Sequence, residues 1–155
     1  MTDPKPEKYA RINVTDKTGV VELAYALASL GYKIVAAGGT CTTLKQSELE
    51  VLQPQDIAGS PDVLEGTLGL LHPKLLLGVA ADRDHPGHMH ELERRKGVPV
   101  DLVAVTLHPL AEITAEKDLP QAEMLNYVDV GSAALLRAAA RNFKHVIPLC
   151  DPDDY

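Results

Sequence analysis

Aromatic residues and positive charge are both scarce in this 155-residue sequence. It has no Trp and one Phe, aromatic residues make up 4% of the chain, and 22 acidic residues outnumber 15 basic ones. Proteins that bind nucleic acid present a basic face or stack bases on aromatic rings, so nucleic acid is not expected as a partner. The formal net charge of -7 still leaves room for a small anionic ligand, because backbone amides and one or two lysines create a local site.

Cysteine and long apolar runs are also lacking. The chain has two cysteines, Cys41 and Cys150, which are too few for a disulfide framework and favour a reducing, cytoplasmic location. No run of about 18 apolar residues is present, and the start MTDPKPEKYA has no signal-peptide core, so no membrane association is expected. The length and the 45% hydrophobic content suit one domain over residues 11–155, after a flexible N-terminus over residues 1–10.

Apolar segments alternate with helical patterns and predict an α/β fold. The predicted strands are ARINV (10–14), YKIVAA (32–37), LEVLQ (49–53), LLLGVAA (75–81), VDLVAVTL (100–107) and HVIPL (145–149). Helices are predicted over 20–31, 41–48, 85–97 and 131–142, with a short one from Ser60-Pro61 to near Gly66. This order predicts three layers, in which helices cover both faces of a mostly parallel sheet. Ligands then bind beyond the carboxyl ends of the strands.

Two loops at predicted strand ends are candidates for anion binding. TDKTG (15–19) offers backbone amides, hydroxyls and Lys17 at a helix start, although simple N-capping by Thr15 or Asp16 explains the same residues. AAGGT (36–40) allows close backbone approach at its two glycines, but on its own it is equally typical of a tight turn. Two such loops on consecutive strands converge on one crevice, which favours a shared phosphate site.

Other polar residues carry weaker signals. Asp129 precedes the Ala-rich helix and is either a catalytic carboxylate or an anion favoured by the helix dipole. Arg137 and Arg141 share a face of that helix and either bind an anion or pair with acids. Cys41 is interpreted as a small core residue. The histidines of DHPGHMHE (84–91) match no closed zinc spacing, so no metal site is expected there.

Together these motifs resemble the inosine-monophosphate (IMP) cyclohydrolase domain of the bifunctional purine-biosynthesis enzyme, which has a methylglyoxal-synthase-like fold. VTDKTG, AAGGT, HPK, VDLVAVTLHP, VDVGSAALLRAAARN and DPDDY run in the family order from about Arg11 to Tyr155. The family domain normally continues further, so we expect a minimal stand-alone version. The resemblance implies closure of the purine ring of formyl-AICAR to IMP with loss of water, and no metal or organic cofactor.

The resemblance also implies which residues bind and react. The phosphate-binding positions would be Thr15, Lys17, Thr18, Gly19, Gly38, Gly39 and Thr40, and further substrate positions Thr67, Gly69, Thr106 and Gly131. The catalytic positions would be His72, Lys74, His108, Asp129 and Arg141. They would hold the amine against the formyl carbon, stabilise the developing oxyanion and move protons to the departing water.

Several of these positions depart from the family pattern. The family usually reads GRVKTLHPK where this chain reads GTLGLLHPK (66–74), so an Arg, a catalytic Lys and a Thr become Thr67, Gly69 and Leu70. His108 stands where an active-site Tyr is usual, and Arg141 stands where a Lys is usual. A histidine has an ordinary pKa of about 6.5 and can exchange protons near neutral pH.

These departures leave three hypotheses for function. The first is a cyclohydrolase acting on formyl-AICAR, and the second is a paralogue acting on a related purine-analogue nucleotide. The third is an inactive nucleotide-binding or regulatory domain. The resemblance further implies a homodimer, and a separate transformylase is a possible partner.

Overall fold

A computed structural model describes residues 7–60, 71–116 and 119–155. The strands are β1 Lys8–Val14, β2 Tyr32–Ala36, β3 Val51–Leu52, β4 Val100–Thr106 and β5 Ile147–Leu149. The helices are α1 Val20–Ser29, α2 Gly38–Gln46, α3 Pro54–Ala58, α4 Pro73–Ala80, α5 Pro86–Arg94, α6 Leu110–Glu116, α7 Gln121–Met124 and α8 Gly131–Arg141. Short 3-10 turns lie at Leu125–Tyr127 and Pro152–Asp154.

The five strands form one sheet in the order β3-β2-β1-β4-β5, and every pair is parallel. The chain builds outward from β1 in one direction through β2 and β3, and in the other through β4 and β5. Val14 and Thr106, the last residues of β1 and β4, are register partners. The strand order therefore reverses between β1 and β4, and the crevice outside their carboxyl ends is where such folds bind ligands.

Helices cover both faces of the sheet and make three layers. On one face, Ala10 and Ile12 pack in an apolar cluster with residues of α1 and α2. On the other face, Tyr9 packs in a second cluster with Val79 of α4 and Leu135 of α8. Because strand side chains alternate between faces, the residues of β1 supply both cores. The three-layer α/β fold predicted from the sequence is confirmed.

One predicted strand was wrong: LLLGVAA (75–81) lies almost entirely within helix α4. The helix begins after His72, whose side chain accepts a hydrogen bond from the backbone nitrogen of Lys74, and Pro73 occupies its first turn. A short apolar run fits a buried strand and a buried helix equally well, so the sequence could not distinguish them. At Gly78 an added Cβ would lie 1.9 Å from the carbonyl oxygen of Val98, so the glycine permits close packing of the helix.

Smaller differences concern the bounds of elements. Strand β1 begins at Lys8, so residues 8–10 belong to the sheet and not to the segment expected to be flexible. Helix α2 includes the two glycines expected in a loop, and helices α3, α6 and α7 were not predicted. The short helix predicted from Ser60-Pro61 to Gly66 lies almost wholly outside the described residues. Among the helices described, none has the length and apolar content needed to cross a bilayer.

Candidate functional site

Thr106 joins the carboxyl end of β4 to the loop that follows β1. Its Oγ1 accepts hydrogen bonds from the backbone nitrogens of Thr15 at 2.7 Å and of Asp16 at 3.1 Å. The hydroxyl of Thr15 in turn donates to the backbone carbonyl of Thr106 at 3.2 Å. These three bonds hold the start of the TDKTG loop at the point where the strand order reverses.

Thr40 joins the same loop to helix α2. Thr40 is 3% exposed, and its hydroxyl donates to the carbonyl oxygen of Val14 at 2.9 Å and accepts from the Val14 nitrogen at 3.1 Å. The Lys17 ammonium also donates to the Val14 carbonyl and lies 3.3 Å from the Thr40 hydroxyl oxygen. Partial burial lowers the pKa of Lys17, although the nearby Asp16 carboxylate opposes this shift. The two loops predicted to converge thus lie in contact, with a half-buried cation between them.

The backbone around these loops leaves room for an anion. Gly19, the N-cap of α1, has a φ of 67°, and Gly38, the first residue of α2, has a φ of 51°, so both adopt a conformation that favours glycine. A Cβ added at Gly38 or Gly39 would meet no atom within 4 Å, so the start of α2 is open. Two helix N-termini therefore present amides near Lys17, and such termini favour negative charge.

Asp16 is the acidic member of this loop. Its Oδ1 accepts from the backbone nitrogen of Thr18 at 2.9 Å and from the Thr18 hydroxyl at 2.7 Å. These hydrogen bonds, led by the backbone one, hold the pKa of Asp16 below its usual value. The carboxylate therefore shapes the loop, and it occupies the Thr18 amide that was expected to face a ligand.

Asp129 lies at the start of α8, on the other side of the crevice. Its Oδ1 accepts from the backbone nitrogens of Ser132 at 2.6 Å and Ala133 at 3.3 Å, which satisfies two amides of the first helical turn. The Ser132 hydroxyl oxygen accepts from the side-chain amide of Asn13 at 3.1 Å, so β1 holds this turn in place. Asp129 is thus a capping residue, and Oδ2 makes no hydrogen bond within the described ranges.

His108 follows β4 by two residues and is exposed. Its ring stands edge-to-face with that of Tyr127, with centroids 5.7 Å apart and planes at 86°. Thr106, His108 and Asp129 therefore all follow or border the carboxyl edge of the central strands. Tyr127 was not singled out by the sequence, because it lies in a segment with no recognisable motif.

Two predicted catalytic residues have structural partners instead. The ammonium of Lys74 donates to the carbonyl oxygens of Ala58 at 2.8 Å and Ile57 at 3.4 Å, at the C-terminal end of α3. The Nδ1 of His72 accepts from the Lys74 backbone nitrogen at 3.3 Å and caps α4. Thr67 and Gly69, the predicted substrate positions of this stretch, lie outside the described residues.

Arg141 is not brought near Asp129 within this chain. It ends the eleven-residue helix α8, which is roughly 16 Å long, while Asp129 precedes its first turn. Arg141 instead borders a concavity of about 470 Å³ that also includes Asp82, His88 and Asn142. The predicted catalytic set is therefore split between the two ends of α8.

The histidine-rich segment has local roles. His85 caps α5 and stacks on His88 with ring centroids 4.2 Å apart. In the described part of the chain, the side chains close enough together to hold a metal ion are those of Asp82, Asp84 and His145. Asp84 is paired with the ammonium of Lys144, and Asp82 lies 3.0 Å from His145 Nε2. These pairings explain the cluster without a metal.

Sequence reasoning missed Arg11, the most unusual side chain in the described structure. It lies within β1, is 1% exposed, and all three guanidinium nitrogens are buried without a hydrogen-bond partner in the part of the chain that is described. Burial lowers its pKa to about 10. A charged residue inside the apolar strand ARINV was the available signal, since buried charges normally have partners.

The fold and these loops define a three-layer α/β domain in which two glycine-containing loops and Lys17 meet at the switch point of a parallel sheet. The family model described as the MGS-like domain matches residues 19–133. The chain belongs to this family.

Its relatives include the bifunctional purine biosynthesis protein PurH. The chain is 44% identical over 146 residues to PurH of Chloroflexus aurantiacus and 37% identical over 148 residues to PurH of Lactiplantibacillus plantarum. These matches cover 94% and 96% of this chain but only 28% and 29% of the relatives, so the chain is a PurH-like domain. A solved structure described as that of ForH is 35% identical, with a TM-score of 0.83 over 96% of this chain and 76% of that one.

Proposed function

We propose that this chain closes the purine ring of formyl-AICAR to IMP with loss of water. The observation that carries this proposal is that Lys17, in the loop before α1, and Thr40, in the first turn of α2, meet at the carbonyl oxygen of Val14. A nucleotide 5′-phosphate fits this arrangement of amides, a hydroxyl and an ammonium. Similarity to PurH supports a link to purine biosynthesis.

The chemical step needs few groups. With the phosphate held by the loops, the rest of the nucleotide extends along the edge of β1 and β4 toward His108 and Asp129. The exposed imidazole of His108 can transfer protons from the attacking carboxamide nitrogen to the departing water. The second carboxylate oxygen of Asp129 can orient this nitrogen against the formyl carbon, while Oδ1 stays bonded to the first-turn amides of α8.

A second candidate is the same type of ring closure on a related purine-analogue nucleotide. It is favoured by the changed residues of the stretch GTLGLLHPK (66–74), by the separation of Arg141 from Asp129 along α8, and by the bonds of Lys74 to α3. These departures fall on positions that the resemblance assigns to the chemistry, whereas Lys17 and Thr40 of the two loops are retained and lie together.

The test is to supply purified protein with formyl-AICAR and follow IMP formation by ultraviolet absorbance. A rate well above the uncatalysed one supports the first candidate. Binding of AICAR without turnover contradicts the first candidate and favours the analogue substrate or an inactive binding domain. Failure to bind AICAR at all contradicts the proposed nucleotide site. The double variant Lys17→Ala, Thr40→Ala is the control, because it lacks the two side chains proposed to bind the phosphate.

We further propose that a separate transformylase supplies the substrate, because the proposed reaction consumes a formylated nucleotide. We also propose a homodimer. Exposed apolar side chains surround the crevice and would be covered by a second copy; they are Leu107, Leu125, Val128 and Val130. Light scattering of the purified chain tests the dimer, and a monomer at micromolar concentration would contradict it.

A cytoplasmic location is consistent with two free cysteines.

A further inference from the structure

Arg11 presents a physical problem that the fold alone does not solve. A guanidinium offers five N–H donors, and here all three nitrogens are buried without a partner among the residues described. Removing such a cation from water costs several kcal/mol unless hydrogen bonds compensate. Because β1 is the central strand, Arg11 lies between neighbours Val35 and Val103, which offer no side-chain acceptor.

The face of the sheet that Arg11 occupies follows from strand alternation. Ala10 and Ile12 pack with α1 and α2, and Tyr9 packs with α4 and α8, so Arg11 shares the face of Tyr9 and Asn13. Asn13 confirms this assignment because its side chain bonds Ser132 in the first turn of α8. Arg11 is therefore the residue of β1 that precedes Asn13 on this face of the sheet. It lies further from the carboxyl edge than Asn13, beneath the start of α8.

The phosphate-binding loops lie toward the opposite face. Thr40 belongs to α2, and the start of α1 follows Gly19, so both helices that would receive a phosphate cover the face of Ala10 and Ile12. A nucleotide that crosses the carboxyl edge between β1 and β4 would place its phosphate on this side. Its base-like ring would lie on the side of α8, which is the side of Arg11.

The depth of Arg11 also suits such a ligand. It lies three residues before Val14, the end of β1, which is roughly 10 Å along the strand. Strand side chains stand roughly perpendicular to the sheet and lean along the strand, so the long arginine side chain covers part of this depth. A planar ring that enters the crevice would span the rest of the distance between the end of β1 and the guanidinium.

We propose that Arg11 recognises the carboxamide oxygen of the imidazole nucleotide, and so forms a second binding subsite that the phosphate loops do not provide. This inference rests on the proposed function and deepens it by naming the group that selects the base-like part of the substrate. A carbonyl oxygen accepts strong hydrogen bonds from a guanidinium, which would supply the acceptor that Arg11 lacks. The lowered pKa of Arg11 is consistent with a cation awaiting such a partner.

A ligand pair tests this contact without requiring turnover. AICAR and aminoimidazole ribonucleotide share the ribose phosphate and the aminoimidazole ring, but only AICAR carries the carboxamide. Their affinities would be measured by calorimetry for the wild-type chain and for Arg11→Met, which keeps a long side chain and removes the donors. We expect Arg11→Met to weaken AICAR binding by about 10- to 100-fold while leaving aminoimidazole ribonucleotide within about twofold.

Other results would overturn the proposal. Equal weakening of both ligands would assign Arg11 to the fold or to the phosphate, and unchanged affinity for both would make it a structural residue. Arg11→Lys, which keeps one charged donor group, should retain part of the preference for AICAR. If wild-type protein binds AICAR preferentially but never turns over formyl-AICAR, the subsite stands and the proposed reaction fails.

A matched control comes from the phosphate side. Lys17→Ala should weaken both ligands by a similar factor, because both carry the same 5′-phosphate. If Lys17→Ala instead abolished the preference for AICAR, the two subsites would not be separate, and the assignment of Arg11 to the carboxamide would be wrong. Thermal unfolding of each variant would show that the folded fraction is unchanged.

Discussion

The hydroxyl oxygen of Thr106 lies 2.7 Å from the backbone nitrogen of Thr15, and this bond joins the ends of the two strands between which the sheet order reverses. Thr106 is 8% exposed, whereas the residues of the loop it holds are largely exposed. The position of the TDKTG loop (15–19) thus depends on the side chain of Thr106, which lies 91 residues from Thr15 in sequence.

Replacing Thr106 with Val should loosen this loop. Val keeps the branched shape but cannot accept from the nitrogens of Thr15 and Asp16, and we expect a loss of about 1 kcal/mol in unfolding free energy. AICAR binding should weaken because the loop is less well positioned. Urea unfolding and calorimetry measure the two effects, and Thr106→Ser, which retains the hydroxyl, is the control. Unchanged AICAR affinity in Thr106→Val would contradict the role given to this bond.

Replacing Arg11 with Met should stabilise the ligand-free protein. Exchanging an uncompensated buried charge for an apolar side chain of similar length is expected to raise the unfolding free energy by about 1–4 kcal/mol at pH 8. Arg11 would then resemble other binding residues that are retained at a cost in stability. Urea unfolding of both proteins provides the measurement, and a destabilised Arg11→Met would show that the guanidinium has compensating partners in solution.

The stability difference between these two proteins should also depend on pH. Burial lowers the pKa of Arg11 from its ordinary value in the unfolded chain to about 10 in the folded state. Between these values the unfolded chain binds more protons than the folded one, so this group raises the unfolding free energy as pH increases. The advantage of Arg11→Met should therefore be full below pH 10 and smaller at pH 11. A stability advantage of Arg11→Met that grows with pH would contradict the lowered pKa of Arg11.

The sequence predicted most of the fold because periodicity and loop composition report local structure. The strand VDLVAVTL and the helix GSAALLRAAARN lie where expected, since apolar runs and Ala-rich segments have clear preferences. It failed for LLLGVAA because a short apolar run suits both types of element. The tie between Thr106 and Thr15 is a long-range contact that no local pattern encodes.

Only some of the predicted site residues lie together in the structure, for similar reasons. Lys17 and Thr40 meet because both follow parallel strands that share a carboxyl edge, which the order of elements already implies. Arg141 was placed with Asp129 by resemblance, whereas the length of α8 separates them within this chain. Arg11 carried no motif. Its charge inside the apolar strand ARINV was the signal in the sequence, and its burial without a partner among the described residues makes that signal significant.

Lys74→Met should affect stability more than ligand binding. The ammonium donates to two carbonyl oxygens at the end of α3, and its removal leaves them unsatisfied at a cost of about 1 kcal/mol. We expect the AICAR affinity to stay within about twofold of the wild-type value. Thermal unfolding and calorimetry provide the readouts, with Lys74→Arg as the charge-retaining control. A large loss of turnover in a folded Lys74→Met protein would restore Lys74 to the catalytic set.

His108 should contribute to the chemical step through an imidazole held by Tyr127. We expect His108→Gln to lower kcat by about 100-fold with little change in KM, as for removal of a general acid–base group. Tyr127→Phe keeps the edge-to-face contact and should retain most of the activity, whereas Tyr127→Leu should lose part of it. Steady-state kinetics on formyl-AICAR measure these effects. Wild-type kcat in His108→Gln would remove the imidazole from the mechanism.

Asp129 allows capping and catalysis to be separated by one pair of variants. Its Oδ1 holds the amides of Ser132 and Ala133, and an asparagine oxygen can accept the same two bonds. The unfolding free energy of Asp129→Asn should therefore lie within about 0.5 kcal/mol of the wild-type value, whereas that of Asp129→Ala should be lower by about 1 kcal/mol. If the second carboxylate oxygen orients the attacking carboxamide nitrogen, both variants should lose kcat by about 100-fold or more, despite their different stabilities. Urea unfolding and IMP formation would be followed on the same preparations, with Ser132→Ala as a control that disturbs the same turn without removing a charge. Full activity in Asp129→Asn would show that this residue only caps α8, and the proton transfers would then have to be assigned to His108 alone.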